Sequence, residues 1–101
     1  MLMNKHIADD EGYKYTPLDD YKLYFYSSDF VIATVLTLKG YELVTITRDE
    51  NRSKYIFVFK MSKSLNDTVK DFWHHHISVD PLEYENYRKN LKSRMFSLFN
   101  K

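Results

Sequence analysis

Residues 29–39 read Asp29, Phe30, Val31, Ile32, Ala33, Thr34, Val35, Leu36, Thr37, Leu38, Lys39, set between the serine pair Ser27, Ser28 and Gly40. Wound as a helix, this run places apolar residues on almost every side, which predicts a helix buried nearly all round. Ser27, Ser28 or Asp29 supplies a start cap, and Gly40 stands where a left-handed residue closes the last turn, with Tyr41 as the apolar contact beyond it. Val, Ile and Thr make a strand the rival reading, but the length of the run and its flanking caps favour the helix.

Outward from this helix the pattern changes to period two. Tyr21 to Tyr26 alternates, with Leu23 and Phe25 on one side and Tyr24 and Tyr26 on the other, and reads as a strand entering the helix. Glu42 to Arg48 reads as a second strand and Lys54 to Lys60 as a third, joined in a hairpin through Asp49, Glu50, Asn51 and Arg52. Tyr55, Ile56, Phe57, Val58 and Phe59 are apolar on both faces, which places the third strand between the other two. The order is then 2-3-1, with strands one and two parallel and linked by a right-handed crossover through the buried helix. Ser64, Leu65, Asn66, Asp67 reads as a capping box opening a helix with an apolar stripe of Leu65, Val69, Phe72, Trp73 and Ile77. Asp80, Pro81, Leu82, Glu83 opens a last helix that runs to about Phe99, with Tyr84, Tyr87, Leu91, Met95 and Leu98 along one face. The expected fold is a single α+β domain over residues 21–101, ordered strand, helix, strand, strand, helix, helix, behind an acidic tail over residues 1–20.

The chain has 101 residues, no cysteine and net charge +1. At this length about 65 per cent of the unfolded surface can be buried, enough for one core without staples. The absence of cysteine removes thiolate metal sites and cysteine nucleophiles and fits a reducing, cytoplasmic setting. No run is long enough for a membrane span, and the first residues lack the apolar segment of a signal peptide. Charge is laid unevenly: residues 1–20 hold two lysines against five acids, and residues 21–101 hold thirteen Lys or Arg against nine acids. That imbalance falls short of the basic footprint of a dedicated nucleic-acid binder. Nine Tyr and seven Phe, with few Ala, Gly and Pro, follow the Lys, Asn, Tyr, Phe and Ile bias of an AT-rich genome.

The run Tyr26 to Phe30 into a helix ending Lys39, Gly40, Tyr41, the apolar strand Ile56 to Phe59, and Val79 to Tyr84 with Leu91, Lys92, Ser93, Arg94 carry a resemblance. Over about residues 24–98 the chain resembles a small uncharacterised domain of unknown function found in bacteria and their phages. The resemblance implies the fold and a mobile-element setting and brings no catalytic residues. In that family the turn between the last two helices tends to be short and Gly-containing, whereas here His74, His75 and His76 fill it.

Four groups of residues are candidates for chemistry. Asp71 and His75, four apart, form the best metal-binding pair, with Asp80 or His6 as a third ligand; the plainer reading is imidazoles facing water at a helix C-terminus. Arg88, Lys89, Lys92 and Arg94 on the last helix can track phosphates, or stand as a solvated face in which Glu85 pairs Lys89. Tyr24, Tyr26 and Tyr55, placed by the period-two count on one sheet face with Phe57 and Phe59, form either core or an interface, a homodimer seam included. Tyr13 and Tyr15 in the tail are further candidate partner contacts. With only Gly12 and Gly40 there is no glycine-rich phosphate loop or nucleophile elbow.

The expectation is therefore a non-enzymatic binding protein of phage or mobile-element type, without a cofactor. It would occupy a surface of a larger protein or nucleoprotein complex, host defence machinery being one such target. The alternative is a nucleic-acid-binding accessory using the basic last helix.

Overall fold

The computed structural model describes residues 23–49, 51 and 53–99. Its elements are β1 (Tyr24–Ser27), α1 (Phe30–Leu38), β2 (Leu43–Asp49), β3 (Lys54–Lys60), α2 (Lys63–Trp73) and α3 (Pro81–Phe99). The acidic tail and its Tyr13 and Tyr15 lie outside the described residues, as do Tyr21 and Lys22 of the expected first strand.

Residues 29–39 form the expected helix. The Asp29 carboxylate accepts from the N–H groups of Val31 at 2.8 Å and Ile32 at 3.2 Å, and Ser27 Oγ accepts from the Asp29 N–H at 3.0 Å. Ile32, Ala33, Thr34, Val35 and Leu36 are buried in succession, so the helix is enclosed on every side over that turn and a half. The hydroxyls tolerated inside are spent locally: Thr34 donates to the Phe30 carbonyl and Thr37 to that of Ala33. Gly40, at φ +97°, closes the helix in a Schellman motif, its N–H donating to Thr37 O and that of Tyr41 to Leu36 O. Val31 breaks the enclosure, with 47% of its surface exposed.

The sheet has the order β1-β3-β2, and both outer strands pair antiparallel to β3, so they run parallel to one another on either side of it. Ile56, Phe57, Val58 and Phe59 are buried without a break, which is why β3 takes the centre. A bulge at Val44 separates the Leu43–Phe59 pair from the Thr45–Val58 pair. It lets Leu43 and Ile46, an odd number of residues apart, both reach the core face, where an unbroken strand would send one of them to the other side.

Pairing register corrects the expected grouping of the tyrosines. Tyr24 stands opposite Lys60 and Tyr26 opposite Val58, while Phe25 stands opposite Phe59 and Ser27 opposite Phe57. Directly paired residues share a face. Tyr24 and Tyr26 therefore share one face with Ile56 and Val58, and Tyr55, Phe57 and Phe59 occupy the other with Phe25, Leu43, Ile46 and Arg48. Counting along each strand fixes alternation but not the register between strands, and a one-residue difference exchanges the faces.

All three helices among the described residues contribute to the core on the Phe57 face. The cluster joins Phe25, Ile46, Phe57 and Phe59 to Ile32, Ala33 and Leu36 of α1, Leu65 and Val69 of α2 and Leu91 of α3. Helix α2 starts earlier than its sequence suggested: Ser62 is the cap, its Oγ accepting from Leu65 N–H at 3.0 Å, and not Ser64. The Ser64 hydroxyl is instead 2.6 Å from that of Tyr41, and Asp67 pairs with Lys63. Ile77, expected on the α2 stripe, lies beyond the end of that helix. Asp80 caps α3 through Glu83 N–H at 2.8 Å, as its spacing predicted. Of the expected apolar face of α3 only Leu91 is buried, with Tyr84 and Met95 half-buried and Tyr87 and Leu98 exposed.

Candidate functional site: an apolar groove beside the buried helix

Where Val31 leaves α1 unsealed, the end of α2, the connection to α3 and the start of α3 surround a groove of about 710 Å³. Its walls are Val31 and Val35 of α1, Phe72 and Trp73 of α2, His75, Ile77 and Val79 of the connection, and Pro81 and Tyr84 of α3.

The way α2 ends shapes this groove. His76 N–H donates to the Asp71 carbonyl at 2.8 Å and His75 N–H to that of Phe72 at 3.1 Å, the same Schellman pattern that closes α1. Its left-handed position, held in α1 by Gly40, is held here by His75 at φ +63°. Beyond the turn the connection alternates, with Ile77 and Val79 half-buried against the groove and His76 and Ser78 exposed. Phe72 and Trp73 meet edge to face, ring centroids 4.8 Å apart. The Trp73 Nε1–H is buried and has no acceptor among the described residues. A buried donor left unpaired costs roughly 1–3 kcal/mol. Among the described residues the lining carries no carboxylate, lysine or arginine, and what these residues offer an incoming group is apolar and aromatic area.

The residues singled out from sequence fall elsewhere, His75 excepted. His75 lies outside α2, so Asp71 and His75 do not share a helix face, and among the described residues no group of three His, Asp or Glu side chains is arranged to hold a metal ion. Arg88 is engaged by Glu85 in a two-pronged ion pair, Nε to Oε1 at 2.9 Å and Nη2 to Oε2 at 2.8 Å, in place of the expected Glu85 to Lys89 pair. The Arg88 guanidinium beside Glu85 holds that carboxyl below its ordinary value. Lys89, Lys92 and Arg94 are exposed. At about 100 degrees per residue, Lys89 and Lys92 lie about 60 degrees apart, whereas Arg94 lies about 140 degrees around the helix from Lys89. The four cations therefore do not form one stripe. Tyr24 and Tyr26 are half-buried on the sheet face opposite the three described helices, rings edge to face at 6.4 Å. Tyr55 packs against Phe99 at 5.2 Å and under the Arg48 guanidinium, as part of the core edge. The groove itself went unread in the sequence, although Ile77 and Val79 flanking Ser78 between two capped helices carry its signal.

No helix among the described residues is long and apolar enough to cross a membrane. No curated protein and no solved structure matches the chain. One family model spans residues 22–97, from the residue ahead of Leu23 to the last turns of α3. The chain thus belongs to the family described as Domain of unknown function (DUF5659).

Proposed function

We propose that this protein is a small, cytoplasmic, non-enzymatic binding protein of phage or mobile-element type that acts by occupying a surface of a larger protein. The groove beside α1 is its contact site, and the occupant is an apolar segment of that protein. One observation carries this reading. A helix sealed through five consecutive residues is left open at Val31, at the mouth of an aromatic-walled groove. Interfaces favour such a makeup, since rings give large contact area at low entropic cost and exclude water from the few polar groups between them. The mobile-element setting rests on the resemblance of residues 24–98 to a domain of bacteria and their phages, and the cytoplasmic one on the absence of cysteine.

The test is capture of partners from host lysate by wild type and by Val31→Glu, with and without nuclease. Val31 is exposed and in the first turn of α1, where an acid favours the helix dipole, so the variant keeps its fold. A protein captured by wild type, indifferent to nuclease and lost from Val31→Glu supports the groove. Capture that survives Val31→Glu removes it. Capture abolished by nuclease, and weakened by neutralising Lys89 and Lys92, replaces this reading with nucleic-acid binding.

A further inference from the structure

Three consecutive imidazoles, His74, His75 and His76, follow α2, and all three are exposed. Were the helix to continue, neighbours would stand about 100 degrees apart around its axis and the outer two about 200 degrees apart, so no two would share a side. The turn that ends α2 rearranges them. Its left-handed residue, His75 at φ +63°, reverses the chain, and the rings of His74 and His76 come together with centroids 6.1 Å apart and planes tilted by 43°. His75 lines the groove, and neither of its neighbours does. All three backbone N–H groups are tied to the last turn of α2: His74 donates to the Lys70 carbonyl at 3.0 Å, His75 to that of Phe72 at 3.1 Å and His76 to that of Asp71 at 2.8 Å.

We propose that His74 and His76 form a two-imidazole site for a late first-row divalent metal ion, with Cu²⁺ held most tightly. Imidazole suits Zn²⁺, Ni²⁺ and Cu²⁺, and at a given nitrogen site affinity along the row peaks at Cu²⁺. Metal–nitrogen bonds of about 2.0 Å from two rings set their centroids about 4.5–6 Å apart, according to the angle between the bonds. The pair at 6.1 Å lies at the wide end of that range, and small rotations of two exposed side chains close the remainder. Because the backbone of the turn is already held by its hydrogen bonds, binding orders only the two side chains. Among the described residues no group of three His, Asp or Glu is placed to hold an ion, so water fills the other positions and the ion is exchangeable. His75 takes no part as a ligand, although it is the middle member of the run.

Trp73, the single tryptophan of the chain, immediately precedes His74 and reports on the site, since Cu²⁺ quenches a nearby indole. The full chain and its His74→Ala, His76→Ala and His75→Gly variants are titrated with Cu²⁺ at neutral pH, with circular dichroism as the check of fold. Wild type should show saturable quenching. Affinity should fall by about tenfold or more in each alanine variant, where one arm of the chelate is gone, and stay within about twofold of wild type in His75→Gly. Should an alanine variant lose its fold, His74→Gln or His76→Gln takes its place with the same expected loss. Quenching that does not saturate, that either His74 or His76 can lose without effect, or that His75→Gly weakens as much as the other two overturns the proposal.

Discussion

Replacing His75 with glycine is expected to stabilise the protein. His75 holds φ +63° at the end of α2, where α1 uses Gly40 at φ +97° for the same pair of closing hydrogen bonds. A residue with a Cβ pays roughly 1–2 kcal/mol to sit in the left-handed region. Glycine escapes this penalty but brings roughly 0.4–1 kcal/mol of extra chain entropy to the unfolded state. His75 is exposed, so removing its ring surrenders little buried area. The net gain is about 0.5–1 kcal/mol, which in a domain of this size raises Tm by about 2–8 °C. Urea titration followed by circular dichroism reads the change as a higher midpoint at unchanged slope. Two further variants isolate the backbone as the cause. His75→Ala removes the ring but keeps the Cβ, and its midpoint should stay at or below that of wild type. Gly40→Ala should fall by about 1 kcal/mol even though a Cβ there meets nothing within 4 Å, because its penalty is conformational. A His75→Gly midpoint no higher than wild type, or a His75→Ala midpoint that matches it, would refute the reasoning. If the groove needs the imidazole, the more stable His75→Gly variant should also capture less partner, the pattern expected where strain is retained at a working site.

Three other outcomes follow from the packing. Phe59→Ala, at a residue with no exposed surface on the central strand, should cost about 3–5 kcal/mol in urea unfolding, enough to leave a domain of this size marginal. Ser62→Ala should cost about 1 kcal/mol as loss of the α2 cap, and Asp67→Asn far less, the reverse of what a cap at Ser64 would give. Glu85 has a folded-state value held below its unfolded one by Arg88, so its contribution is present above the ordinary glutamate range and is lost as pH falls through the lowered folded value. The urea midpoints of wild type and Glu85→Gln should therefore differ near neutral pH and converge in acid; a gap that persists in acid would mean that the carboxylate charge is not what holds Arg88.

The core of α1 was legible because its signals are local. Capping by Asp29, closure by Gly40 and the unbroken apolar run each depend on residues within a turn of one another, and so does the Asp80, Pro81, Glu83 start of α3. The central place of β3 was equally legible, since two dry faces admit only one position in a three-stranded sheet. Register was not. Which face holds Tyr24 and Tyr26 depends on β1 pairing Tyr26 with Val58, and the route of β2 into the core depends on a bulge at Val44, for which no residue type is diagnostic. The cap of α2 was misplaced because Ser62 and Ser64 are both acceptable caps, and only the packing of Tyr41 against Ser64 and Thr68 separates them.

The groove lies at the far end of this range. Its walls come from four segments spread over residues 31–84, and nothing nearby in the chain marks Val31 as the exposed member of a buried helix. The sequence by itself determined which segments coil, which extend and which strand lies in the middle, because caps, periodicity and dryness act over a few neighbouring residues. Only the tertiary structure decided the register, the side on which the three described helices gather and the opening beside Val31, because these depend on how distant surfaces share a limited amount of cover.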